Sequence, residues 1–238
     1  MMAVSPTRTL SVIIPALNEE DNLAGAVATV LDAIGDRFTD YELLIFNDGS
    51  TDRTGRIADE LAAHNPRIRV VHNHRNLGLG CNYTKGVELA RMEYVAWFPG
   101  DNEVPGQAVR AILDAIGSAE IVVPYISNPH VRTWSRRLIS ASFVRLLNLL
   151  FGLRLRYFNG PSVHRRTLLL SVPIRSSGFA CFAAILIPTG TRQHGRTKAF
   201  RLKNLVSIFS TIARLFWDVR LRDRRRYAGA GQRIEFQA

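Results

Sequence analysis

The chain has 238 residues, 47% of them hydrophobic, which is enough apolar material for one large core and excludes a globally disordered polymer. Its two cysteines, Cys81 and Cys181, stand far apart with no second ligand beside either, so neither a zinc site nor a disulfide framework is encoded and a reduced environment fits. The formal charge of +11 is lopsided: residues 1–120 hold 17 acidic against 10 basic residues, whereas residues 121–217 hold 15 basic and no acidic residue. A merely soluble basic face would interleave both signs. This one calls for an anionic partner: nucleic acid, an anionic membrane or phosphates.

In chain order, TLSVIIP (9–15) is a continuous β-branched apolar run, as a strand buried on both faces should be. It reads as a strand, not as a secretory signal. EEDNLAGAVATVLDAI follows as a helix with acidic residues in its first turn and Leu23, Val27, Val30, Leu31 and Ile34 on one face. ELLIF (42–46) predicts the next strand, TDRTGRIADELAAH the next helix, and RIRVVH (67–72) a third strand. A helix over about 79–91, a strand YVAWF (94–98), a helix over 106–116 and a strand EIVVPY (120–125) complete the series. This alternation predicts an α/β fold with a mostly parallel sheet flanked by helices.

Ligands of such sheets bind beyond the carboxyl ends of the strands. Those ends read PALNEE, NDGSTD, NHRNLGLG and PGDNE. The last is ambiguous alone, because Pro, Gly, Asp and Asn make turns and two carboxylates two positions apart also suit a hard divalent cation. Polar, Gly- or Pro-punctuated segments converging on one edge favour a crevice over a turn. Neither a GxGxxG dinucleotide loop nor a Walker loop is present.

The segments SVIIPALNEEDNL, FNDGSTDRT, NHRNLGLG, PGDNE, RRLISASF, FNGPSVHRR and RQHGRTKAFRLKN follow one another over residues 9–220. In this order they resemble the family 2 glycosyltransferases of the GT-A fold, a Rossmann-like design, and in particular the polyprenyl (dolichol) phosphate sugar synthase branch. The resemblance implies that Pro15, Ala16, Asn18, Glu19 and Gly78 line a nucleotide-sugar pocket, and that Asp48 holds the base or ribose. Asn47 stands where many relatives have Asp, and it too is implied to bind the nucleotide-sugar, because its amide offers a donor and an acceptor to the base. Asp101 matches the last acid of the family's DxD motif and would be both catalytic and a ligand, with Glu103, of Mg2+ or Mn2+. Arg192, with Lys198 in the R-x-x-G-x-[ST]-K pattern, matches the segment that closes over the diphosphate. Arg136, Arg137 and Ser140 match the acceptor-phosphate site.

The resemblance implies an inverting hexosyl transfer from a nucleotide-diphospho-sugar. A hydroxyl acceptor needs a general base, whereas a lipid phosphate is already an anionic nucleophile, and residues 121–217 supply no carboxylate. The expected acceptor is therefore a polyprenyl phosphate. Alternatives are a saccharide hydroxyl, or a member that binds nucleotide-sugar or membrane without turnover. The second is motivated by departures from the family pattern: Pro99 at the first DxD acid, Ala184 in place of an acid, and a shortened segment after Ile187. Nucleic-acid binding lacks a recognised motif. Residues 1–199 are expected to form the transferase domain, with a nucleotide-sugar half over about 9–125 and an acceptor half over about 126–199. Residues 200–238 are expected to form an amphipathic helix and basic tail on an anionic leaflet. The expected location is cytoplasmic and peripheral, on the inner face of the membrane, where a membrane-protein partner is also conceivable.

Overall fold

The computed structural model describes residues 8–126, 134–151, 160–171 and 184–187, together with Ala213, Phe216, Trp217 and Leu221. The chain divides into two compact units, one of residues 1–128 and 159–194, the other of residues 129–158 and 195–238. The boundary expected at 199, and the helix and tail expected over 200–238 apart from the four positions just named, lie outside the described residues.

The first unit alternates β1 (Thr9–Ala16), α1 (Leu23–Ile34), β2 (Asp40–Asn47), α2 (Thr54–His64), β3 (Ile68–His72), α3 (Leu79–Leu89), β4 (Tyr94–Trp97), α4 (Gly106–Asp114) and β5 (Ile121–Ile126). After α5 (Trp134–Phe151) of the second unit come β6 (Val163–Arg165), α6 (Arg166–Ser171) and β7 (Ala184–Ile187) of the first. The strands form one sheet in the order β3-β2-β1-β4-β6-β5-β7. The pairs β1–β2, β1–β4, β2–β3 and β5–β7 are parallel, while β6 runs antiparallel to both β4 and β5.

The expected parallel core is therefore present, and β6, β7 and α6 are additions that periodicity did not announce. One expectation needs correction: Glu19, Glu20 and Asp21 do not form the first turn of α1. Glu19 O instead accepts the N–H groups of Asn22 and Leu23 in a preceding turn, and α1 begins at Leu23.

The alternation of side chains along a strand divides the core in two. Leu10, Val12 and Ile14 of β1 pack with Leu43 and Ile45 of β2 against Leu23, Val27 and Ile34 of α1 and Ile112 of α4. Ile13, Leu44, Phe46 and Val95 face the other way, onto Tyr83 and Val87 of α3 and Leu169 of α6. Full burial of each such side chain contributes about 1.5–3 kcal/mol. Helix α3 lies so close to β1 that a Cβ on Gly86 would stand 2.5 Å from Ile13 Cδ1.

Ser11 interrupts the apolar run for a reason. Buried Glu42 receives Ser11 Oγ (2.8 Å) and Arg91 N (2.7 Å) on Oε1, and Arg69 Nη1 (2.9 Å) on Oε2. A carboxylate taken out of water is tolerable only when so paired. Cys81 is an exposed free thiol, and Cys181 lies outside the described residues.

In the second unit, α5 presents Trp134, Leu138 and Leu149 to solvent at 76%, 57% and 81% exposure, while Leu147 is buried. At 100° per residue these exposed positions share one stripe with exposed Arg145, and Leu147 falls on the opposite side. Among the described residues, no helix is long and apolar enough to cross a membrane.

Candidate active site

The carboxyl ends of the central strands form a continuous row. In register, Ala16 of β1 stands beside Asn47 of β2. The ladder continues beyond the strands, with Asp48 N donating to Ala16 O (2.9 Å), Asn73 N to Asn47 O (2.9 Å), Phe98 N to Ile13 O (3.0 Å) and Gly100 N to Pro15 O (3.1 Å). Asn73, Asp48, Ala16 and Gly100 thus stand side by side, and Asp101 is one residue past the row. A Cβ on Gly100 would be 3.0 Å from Ala16 Cβ.

Asp48 is buried and fully engaged. Its Oδ1 accepts Asn73 Nδ2 (3.0 Å) and Leu77 N (2.8 Å), and its Oδ2 accepts Gly78 N (2.9 Å). A carboxylate has about four lone-pair positions, so one remains for a ligand. Between Asp48 and its clients the chain must make a tight turn at Gly49, which has φ 71°, and a Cβ there would sit 2.5 Å from the Arg75 carbonyl carbon.

Asn47 is equally committed. Its Oδ1 accepts Ser50 N (3.2 Å) while its amide N–H donates to His72 Nδ1 (3.0 Å). His72 Nε2 then donates to Asp59 Oδ1 (3.0 Å). The Asn47 amide serves both neighbours at once, accepting from Ser50 through its oxygen and donating to His72 through its nitrogen.

The loops after β1 and β2 are stitched together. Asn18, with φ 54°, accepts Thr51 N on Oδ1 (2.8 Å) and donates its own N–H to Ser50 Oγ (3.0 Å). Glu19 N donates to Thr54 Oγ1 (2.8 Å), and buried Glu19 takes Asn22 Nδ2 on Oε2 (2.7 Å). Burial pushes the Asp52 carboxyl upward, but hydrogen bonds from Thr54 and Glu20 outweigh it and hold the pKa below the ordinary value. The Arg53 guanidinium does the same for Glu20.

In the PGDNE turn, Asn102 has φ 55° and Asp101 Oδ1 accepts Glu103 N (3.1 Å). Asp101 and Glu103 are both half-buried. Their hard oxygens suit Mg2+ or Mn2+. Among the described residues there is no group of three His, Cys, Asp or Glu side chains that could hold a metal ion.

The row therefore gathers Pro15, Ala16, Asn47, Asp48, Gly78 and Asp101 at one edge, with Asn18 and Glu19 in the adjoining loop. Arg137 is exposed and Ser140 half-buried on α5 of the second unit. The Arg136 side chain, and Arg192 and Lys198, lie outside the described residues. Sequence reasoning missed Asn73, His72, Thr54 and Asp52, the residues that hold the loops in place. Asn73 directly after a strand was the available signal.

Residues 11–183 match the sequence family described as glycosyl transferase family 2. The chain belongs to this family. Among family 2 relatives it is 34% identical over 144 residues to the polyprenol monophosphomannose synthase of Mycolicibacterium smegmatis, covering 57% of this chain and 53% of that one. It is 26% identical over 216 residues to the undecaprenyl-phosphate 4-deoxy-4-formamido-L-arabinose transferase of Pseudomonas fluorescens, covering 84% and 63%. The chain thus spans between about half and two thirds of these relatives' lengths.

The fold is shared with the glucosyl-3-phosphoglycerate synthase of Mycobacterium tuberculosis, solved with Mn2+, UDP-glucose and phosphoglyceric acid. The TM-score is 0.57 at 20% identity, covering 89% of this chain and 79% of that one. The architecture is that of the GT-A glycosyltransferases.

Proposed function

We propose that this family 2 member transfers a sugar, with inversion, from a nucleotide-diphospho-sugar to a polyprenyl phosphate at a membrane surface. The observation that carries the reading is the row Asp48–Ala16–Gly100, which brings Asp101 to the carboxyl edge of the sheet, the edge at which open α/β sheets bind their ligands. In the step, an oxygen of the acceptor phosphate forms the new bond to the sugar's anomeric carbon. The bond from that carbon to the donor diphosphate breaks, and the nucleoside diphosphate leaves with the electron pair. No proton need be removed from a phosphate acceptor, in keeping with the lack of any acidic residue from 121 to 217.

Pro15, Ala16 and Asp48 would border the nucleotide, with the loop at Gly78 held ready by Asp48. Asn18, Glu19 and Asn47 would shape its walls through the bonds described above. Asp101 and Glu103 would hold Mg2+ or Mn2+ together with diphosphate oxygens. When bound, the cation neutralises charge on the leaving diphosphate. Arg192 and Lys198 are assigned to the diphosphate, and Arg136, Arg137 and Ser140 to the acceptor phosphate, by family resemblance alone.

Membrane contact is supported by the exposed stripe of α5. Trp134 and Leu149 offer apolar surface and Arg145 a cation, the combination that suits an anionic leaflet.

A second reading, nucleotide-sugar binding without turnover, is favoured by Pro99, which leaves the DxD motif one carboxylate short. Thermal unfolding against UDP, GDP and dTDP, each with and without Mn2+, comes first, because a ligand of the native state raises Tm by mass action. A Mn2+-dependent rise with one nucleotide, followed by sugar transfer to added polyprenyl phosphate, is the expected result. Binding without transfer to any acceptor would establish the second reading, and no rise with any pair would overturn both.

A further inference from the structure

The amino-terminal edge of the sheet, at the other end of β4 from Asp101, carries a second concave surface. Arg91, Met92, Glu93, Arg165, Arg166 and Thr167 line a depression of about 460 Å3, the size of a small-ligand site. It forms where the chain enters β4 and leaves the antiparallel β6, with Tyr94 opposite Arg165.

Its backbone is held rigid from behind. Arg91 N donates to Glu42 Oε1 (2.7 Å), Met92 N to Ser11 Oγ (3.2 Å) and Glu93 N to Thr9 Oγ1 (2.9 Å). Arg166 N donates to Glu93 O (2.8 Å). The wall is therefore pre-organised, and a ligand would spend little free energy ordering it.

The three guanidinium groups are not equivalent. Arg165 is balanced, with Nη2 on Glu93 Oε1 and Nη1 on Glu120 Oε1, both at 2.9 Å. Arg91 and Arg166 have no carboxylate partner among the described residues. Arg91 is exposed, whereas Arg166 is half-buried and its Nε is buried without a hydrogen-bond partner. A guanidinium partly withdrawn from water and lacking a counter-charge is costly unless an anion joins it.

We infer that this depression is an anion site for a phosphate group, held by Arg91 and Arg166 with the Thr167 hydroxyl beside them. Two unbalanced guanidinium groups match a phosphate, whose several oxygens accept paired N–H donors. The ligand is distinct from the donor diphosphate, which belongs at the opposite end of the strand. It is either a free phosphate or the headgroup phosphate of an anionic lipid.

The test follows the Arg166 Nε–Hε resonance of the 15N-labelled full chain, assigned by its loss in Arg166→Lys. One arm titrates inorganic phosphate; the other titrates short-chain phosphatidylglycerol below its micellar concentration, with the phosphatidylcholine analogue as control. A saturable shift is expected, weakened roughly ten-fold or more in Arg91→Gln, as loss of a charge-assisted hydrogen bond implies. A response to inorganic phosphate identifies the free anion, and a response to phosphatidylglycerol alone identifies the headgroup. No movement in either arm, or titrations unchanged in Arg91→Gln, would overturn the site. None of these readouts depends on sugar transfer, so the site and the proposed activity stand or fall separately.

Discussion

Gly78 hangs from Asp48. The Gly78 N–H donates to Oδ2 at 2.9 Å while the neighbouring Leu77 N–H donates to Oδ1 at 2.8 Å, so one buried side chain at the end of β2 fixes the loop that follows β3. Asp48→Asn keeps the shape but turns an amide N–H towards one of these donors. The expected cost is about 1–3 kcal/mol, read as a Tm decrease of roughly 2–4 °C per kcal/mol for a chain of this size. An unchanged Tm would show that the loop is held by other means.

Asp101→Asn tests the metal assignment. Asp101 is half-buried in a turn, and the amide oxygen can still accept the Glu103 N–H, so the ligand-free stability should change by no more than about 0.5 kcal/mol. The Mn2+-dependent part of any nucleotide-induced Tm rise should disappear. Retention of that part would move the cation elsewhere.

His164 predicts an acid limb in the stability curve. It is buried on β6 with Nε2 2.8 Å from Ser162 Oγ and its ring edge-on to Tyr83 at 6.3 Å. Burial lowers its pKa to about 4, whereas the unfolded imidazole titrates near 6.5. As pH falls through that window the unfolded state binds a proton that the folded state refuses. Stability is therefore full above pH ~6.5 and declines to a loss of about 3 kcal/mol by pH ~4. Asp52 and Glu20, whose pKa values are lowered from 3.8 and 4.5, give up their stabilisation only at lower pH. Urea unfolding of the wild type and His164→Phe between about pH 5 and 7 isolates the effect. Parallel curves would refute it.

Membrane contact through α5 is tested by Leu138→Glu and Leu149→Glu. Both positions are more than half exposed, at 57% and 81%, so the fold should tolerate the change within about 0.5 kcal/mol. Sedimentation with phosphatidylglycerol vesicles should fall in each variant and more in the double variant. Undiminished sedimentation would assign the stripe to another partner, such as a second copy of the chain detected by its mass in solution.

The parallel strands were legible because burial on both faces leaves an unbroken β-branched run, as in Val12–Ile14 and Leu43–Phe46. The candidate edge was legible for the same topological reason, since the polar loops at Asn18, Asp48 and Asp101 each follow such a run. The acids at 19–21 misled because charge near a helix start normally marks its first turn. Here Glu20 turns instead to Arg53 across the adjoining loop, at 2.8 Å. The three residues of β6 were illegible for want of any period at all. Nor does composition reveal that Asn47 serves His72, or that Asp48 spends three of its bonds inside the protein.

The position of β6 also sets an order of events during synthesis. Val163 pairs with Ala96 and Val122, yet it is made well after both. At ~5–20 residues per second, β4 and β5 wait several seconds as open edges, each offering unpaired N–H and C=O groups to any passing strand. The half of the sheet that carries Asp48 and Asp101 is thus complete in sequence before its flank is closed. The nascent chain depends on a late, three-residue strand to join its early and late halves into one sheet.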